Sequence, residues 1–158
     1  MDLGAGKVAL RQASALDLPV QMNIADKLLF YHEMARVFKT EGRVVFHDVL
    51  RGEAAESPVY PCPWAETADI SFLATRAEMQ KIMVQAGFEI AKWQDQTAQT
   101  VAFAEASAAK LVQRDGQLPP LGIHLLMGDT AMTKMKNHML NCKSERTAVV
   151  MGVLTKLP

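Results

Sequence analysis

The sequence predicts an α/β fold with a largely parallel sheet and helices on both faces. Three observations predict it. Short strand-like segments alternate with longer segments whose apolar residues recur every three or four positions, in the order strand, helix, strand, helix, strand, two helices, strand. Arg43–Asp48 is nearly all apolar in its middle, the pattern of a strand covered on both faces. At 158 residues and 49% hydrophobic composition, the chain suits a single domain, residues 1–158, that buries its own core.

In chain order, Lys7–Gln12 reads as a short strand because Val8 and Leu10 alternate with Lys7, Ala9 and Arg11. Pro19 closes it by pushing Leu18 away from helical geometry. Asp26 is placed to cap a helix whose stripe is Leu28, Tyr31, Ala35 and Phe38. Gly42 then turns the chain into the strand Arg43–Asp48. Residues 51–74 hold Pro58, Pro61 and Pro63, which forbid a continuous helix and predict a long irregular loop. Thr75 and Glu78 have capping-box spacing, and the helix they open runs to Gly87. Phe88–Trp93 is the next strand. Thr97–Arg114 and a helix from Asp129, carrying Met132, Met135 and Met139 on one side, precede the β-branched terminal strand Arg146–Lys156.

Composition narrows the function classes. Seventeen basic residues balance seventeen acidic ones, so nucleic acid and anionic membranes, which both reward a basic excess, are not expected partners. No segment reaches the ~20 apolar residues of a membrane span. Two cysteines make no disulfide framework, and the expected location is cytoplasmic. His138 and Cys142 lie four apart, a spacing that can bind zinc, but two ligands do not close a site and no metal is expected.

Residues 35–48, Ala-Arg-Val-Phe-Lys-Thr-Glu-Gly-Arg-Val-Val-Phe-His-Asp, resemble the helix–turn–strand block of class I S-adenosylmethionine-dependent methyltransferases. Residues 11–19, ending Leu16-Asp17-Leu18-Pro19, resemble that family's segment after its third strand. Thr75-x-x-Glu78 with Ala86-Gly87-Phe88 resembles its penultimate helix and strand, and Val149–Lys156 its antiparallel last strand. The subgroup most resembled acts on small amines such as sarcosine, dimethylglycine or phosphoethanolamine. The family's Asp-x-Gly-x-Gly cofactor loop is spelled by Asp2–Gly6, but a strand follows it directly, so a turn is the expected reading. The resemblance therefore implies a partial Rossmann-like sheet, mostly parallel with an antiparallel C-terminal strand, lacking the cofactor-loop region and one central strand.

What the resemblance implies about function is S-adenosylmethionine as cofactor and a small-molecule methyl acceptor. Ser14 and Ala15 stand where the family contacts adenine, and Met22 with Asn23 would lie at the lip beneath the sulfonium. His47 is placed at a strand end, where it could act as a base, and Tyr60 and Trp64 could cage a methylated ammonium by cation–π attraction. The alternative is a non-catalytic remnant that assembles through unpaired sheet edges. Unpaired edges recruit other chains, which predicts a homodimer across the sheet edge or the Met132–Met139 face.

Overall fold

A computed structural model describes residues 21–113, 122 and 124–158. The expected strand Lys7–Gln12 and the residues Ser14 and Ala15 lie outside them. The sheet has three strands, β1 (Arg43–Arg51), β2 (Phe88–Asp95) and β3 (Thr147–Lys156), in the order β1-β3-β2. The helices are α1 (Lys27–Val37), α2 (Arg76–Gln85), α3 (Thr97–Val112), α4 (His124–Met127) and α5 (Ala131–Lys143). None of the described helices is long and apolar enough to cross a membrane.

The local signals act as expected at the helix starts. Asp26 Oδ1 accepts from the Leu29 N–H at 2.9 Å, capping α1. At α2 the Thr75 N–H donates to Glu78 Oε2 at 2.8 Å, and the Glu78 N–H donates back to Thr75 Oγ1 at 3.3 Å. Gly87 follows α2 with φ +91°, a conformation that favours glycine.

Three expectations need correction. The sheet is not mostly parallel among the described residues: β3 runs antiparallel to both β1 and β2. The reason is connectivity. The chain leaves α5 beside the carboxyl end of β1, where the Gly52 N–H donates to the Arg146 carbonyl, so β3 can only run back between its neighbours. The antiparallel last strand is thus present, and β1 and β2 point the same way without touching. Second, α1 buries Lys27, Tyr31 and Met34, while Leu28 is partly exposed. Lys27 turns inward because its Nζ donates to the carbonyls of Gln21 (2.5 Å) and Ile24 (2.9 Å), which rotates the buried face. Third, Gly128–Thr130 forms a 3-10 turn, and α5 starts only at Ala131.

Helices cover both faces of the sheet. Strand alternation sends Val44, Phe46 and Leu50 to one face, where they pack with Tyr31 and Met34 of α1 and Met79 and Met83 of α2. Val49 and Val149 point to the other face, against Cys142 of α5 and Val101 of α3, with Met22, Trp64 and Leu73 closing the cluster. Burial of these side chains contributes roughly 1.5–3 kcal/mol each, before entropy is counted.

Candidate functional site

The carboxyl ends of β1 and β2 meet the start of β3 at one end of the sheet. Open α/β sheets bind ligands outside the carboxyl ends of their strands. A cavity of about 600 Å³ opens there, lined in part by Arg51, Trp93, Asp95, Val101, Cys142 and Thr147. That volume suits a small molecule. Through Val101 and Cys142 the cavity borders the apolar cluster of Met22, Trp64 and Val149.

The long loop after β1 is held over this end by one stripe of α5. Asn141 is fully buried; its Oδ1 accepts from the Val59 N–H at 2.8 Å, and its Nδ2 donates to the Val59 carbonyl at 3.0 Å and to Cys62 Sγ at 3.3 Å. One turn earlier, Asn137 Nδ2 donates to the Pro61 carbonyl at 3.0 Å, and Lys134 pairs with Glu66. His138 lies on the same stripe, edge-on to Trp64 with ring centroids 5.6 Å apart. Spacings of three and four place these side chains on one face. Met132, expected to lead the apolar side of this helix, is instead exposed, because the face that α5 buries is largely polar.

Burial sets the protonation of this end. Burial holds the His138 imidazole below its ordinary range, so it is neutral at pH 7. Burial also pushes the Cys62 thiol up to about 11 and raises that of Cys142. Both are protonated, and no group of three His, Cys, Asp or Glu side chains among the described residues could hold a metal ion.

The expected site residues divide. Met22 sits in a 3-10 turn, Gln21–Asn23, with its side chain in the apolar cluster beside Trp64. Trp64 is anchored, its Nε1 donating to Ser71 Oγ at 2.9 Å. Tyr60 lies in the same loop, and no ring contact joins it to Trp64 among the described residues. His47 is not at a strand end. The strand continues to Arg51, and His47 is exposed mid-strand opposite Met151, on the face away from Asp48. Arg51, Trp93, Asp95 and Asn141 carry no motif and are not among the expected site residues. Asn141 has a faint signal, as an amide one residue from Cys142 on a helix otherwise read by its methionines.

No protein-family model matches the sequence, and no curated protein matches it. Solved structures do match. A phosphoethanolamine N-methyltransferase 2 from Haemonchus contortus, in complex with phosphomonomethylethanolamine and S-adenosylhomocysteine, aligns at TM-score 0.65 with 11% identity, over 90% of this chain and 32% of its own. The described residues form part of a methyltransferase fold. A structure described as a sarcosine dimethylglycine methyltransferase from Galdieria sulphuraria aligns at TM-score 0.62 with 12% identity, over 86% of this chain and 49% of its own. The [4+2]-cyclase SpnF aligns at TM-score 0.55 with 18% identity, over 90% of this chain and 48% of its own. This chain thus spans about a third to a half of those chains, and the fold by itself does not choose the reaction.

Proposed function

We propose that this chain carries the acceptor side of a methyltransferase that moves a methyl group from S-adenosylmethionine to a small molecule, an amine first among candidates. The observation that carries the reading is the cavity at the carboxyl ends of β1 and β2, beside a thioether, indole and thiol cluster, in a chain with a methyltransferase fold. When bound, S-adenosylmethionine supplies an activated methyl group. The Met22–Trp64–Cys142 cluster suits that sulfonium side, because it is apolar and polarisable. Ser14 and Ala15, proposed for adenine, lie outside the described residues.

The chain's own residues would work by orientation. Asn141 and Asn137 fix the loop that positions Trp64, and rigid placement of acceptor against methyl is what such a transfer needs most. Neutral His138, beside Trp64, leaves an ammonium acceptor without a competing charge at that position. Isothermal titration of this chain with S-adenosylmethionine and S-adenosylhomocysteine tests the reading. Saturable heat with both is expected; no heat at millimolar ligand overturns it for this chain.

A second reading, an assembly module forming a homodimer, draws on one observation. β1 is an outer strand of the sheet among the described residues, so its far edge has no β-ladder partner there. Sedimentation decides: a single 17.4 kDa species at micromolar concentration would exclude it.

A further inference from the structure

The 3-10 turn Gln21–Asn23 is a junction of three elements. Its middle residue, Met22, belongs to the apolar cluster against which Trp64 packs, and the Met22 carbonyl accepts from the Phe72 N–H at 2.8 Å. Its last residue, Asn23, donates from Nδ2 to the Trp64 carbonyl at 2.7 Å and to the Ile70 carbonyl at 3.2 Å. The turn therefore holds the Trp64 loop from one side while α5 holds it from the other. Its first residue faces the opposite way. Gln21 is 2% exposed and accepts from the Tyr31 hydroxyl at 2.6 Å through Oε1, and its backbone carbonyl accepts from Lys27 Nζ.

Beneath Gln21 lies Asp48 of β1, also 2% exposed. Its Oδ1 accepts from the Val49 N–H at 2.8 Å, while its Oδ2 has no hydrogen-bond partner among the described residues, and neither has Gln21 Nε2. Two complementary polar atoms, both buried and both unpaired, on adjoining residues are a costly arrangement unless the pair serves a purpose. Gln21 is the first residue of the turn that carries Met22 and Asn23, so a pull on its amide by Asp48 acts on that turn.

We propose that Asp48 is a positioning residue that sets, through Gln21, the placement of the Met22–Asn23 turn and of the Trp64 loop bound to it, according to whether its carboxyl is protonated. The ionised carboxylate draws the Gln21 amide toward itself, and the protonated carboxyl releases it. Lys27 and Tyr31 of α1 are the titratable groups that face Asp48; from β3 the residue opposite is Val150, and α2 contributes Met79 and Met83 to the same cluster. Burial pushes the Asp48 carboxyl up to about 7, against the pull of Val49, Gln21 and Lys27. The switch point therefore falls in the neutral range, where Tyr31, raised by burial, keeps its proton. The positioning rests on geometry alone, and its link to a cofactor lip rests on the proposed function.

The test needs no ligand, so its failure is separable from failure of the methyltransferase reading. The chain is labelled with 5-fluorotryptophan, and its two indole resonances are assigned with Trp93→Phe. The Trp64 resonance is expected to shift between pH 5.5 and 8.5 with a midpoint near 7 in the native chain, and to lose that transition in Asp48→Asn. His138 also touches Trp64, but its own titration lies below the ordinary histidine range and persists in Asp48→Asn, which separates the two. Carbon-13 labelling of aspartate carboxyls supplies a second reading should the variant fail to fold: one carboxyl resonance titrating near 7 is expected. A Trp64 signal without that transition, a transition retained in Asp48→Asn, or no aspartate titrating above pH 6 overturns the proposal.

Discussion

Phe46 and Trp93 lie on strands that never pair, yet their rings meet edge to face with centroids 5.7 Å apart. They meet across Gly152 of the intervening β3, which pairs with both residues. A Cβ at Gly152 would stand 2.4 Å from Phe46 Cζ, so the missing side chain is what lets the two aromatics touch. Gly152→Ala is therefore expected to push the Phe46 ring off Trp93 and to cost about 1–3 kcal/mol. Urea unfolding read by tryptophan fluorescence measures the cost. A variant as stable as the parent would show that the ring contact adds nothing.

This contact also marks what was legible in the sequence. Gly152 in a β-branched run is a visible interruption, but nothing nearby in sequence says which strands flank it. The helix starts at Asp26 and Thr75 were legible because capping is local chemistry. The strand directions were not, because direction depends on where α5 delivers the chain. Lys27 and Asn141 were missed for a shared reason: polar residues on a buried face are indistinguishable from surface ones until their carbonyl and amide partners, 3 to 82 positions away, are known. Trp64 was found through its loop, whereas the cavity next to it joins residues from six separate elements and has no linear signature.

Asn141→Ala removes both hydrogen bonds to Val59 and the contact with Cys62. Leaving a buried N–H and carbonyl unpaired costs roughly 1–3 kcal/mol each. The expected outcome is faster amide exchange at Val59 and Cys62 with α1 unaffected, followed by hydrogen-exchange mass spectrometry. Asn141→Asp restores the acceptor for the Val59 N–H only, and should recover part of the protection.

The elevated Asp48 carboxyl has a consequence for stability as well as position. Between its ordinary 3.8 and about 7, the folded chain keeps a proton that the unfolded chain has released. Stability contributed by this group is therefore complete below pH 3.8 and falls as pH rises through that window, by roughly 4 kcal/mol in all. Asp48→Asn carries no charge to desolvate, so it should flatten this slope and match or exceed the parent at pH 8. Urea midpoints at pH 5 and pH 8 for both proteins supply the comparison. A parent that gains stability over this interval relative to the variant would reverse the assigned sign.

Cys62 is fully buried and Cys142 nearly so, and burial keeps both thiols protonated at neutral pH. Neither is expected to react with a thiol reagent in the native chain at pH 7.5, and both should react once unfolded. Counting thiols before and after adding guanidinium checks this. Rapid native modification of either cysteine would mean that the loop over α5 opens far more readily than its Asn141 clamp implies.

The proposed placement of a methyl-donating cofactor beside Met22 and Trp64 is tested most directly by the methionines themselves. The chain holds ten, and carbon-13 labelling of their methyl groups gives one sharp probe per residue. Met22 lies in the cluster beside Trp64, while Met79 and Met83 are fully buried on the opposite face of the sheet. With Met22 assigned through Met22→Leu, millimolar S-adenosylhomocysteine is predicted to shift the Met22 methyl resonance saturably and to leave Met79 and Met83 in place. A spectrum in which Met22 stays fixed at saturating ligand, whether or not other methyls move, would contradict the proposed site.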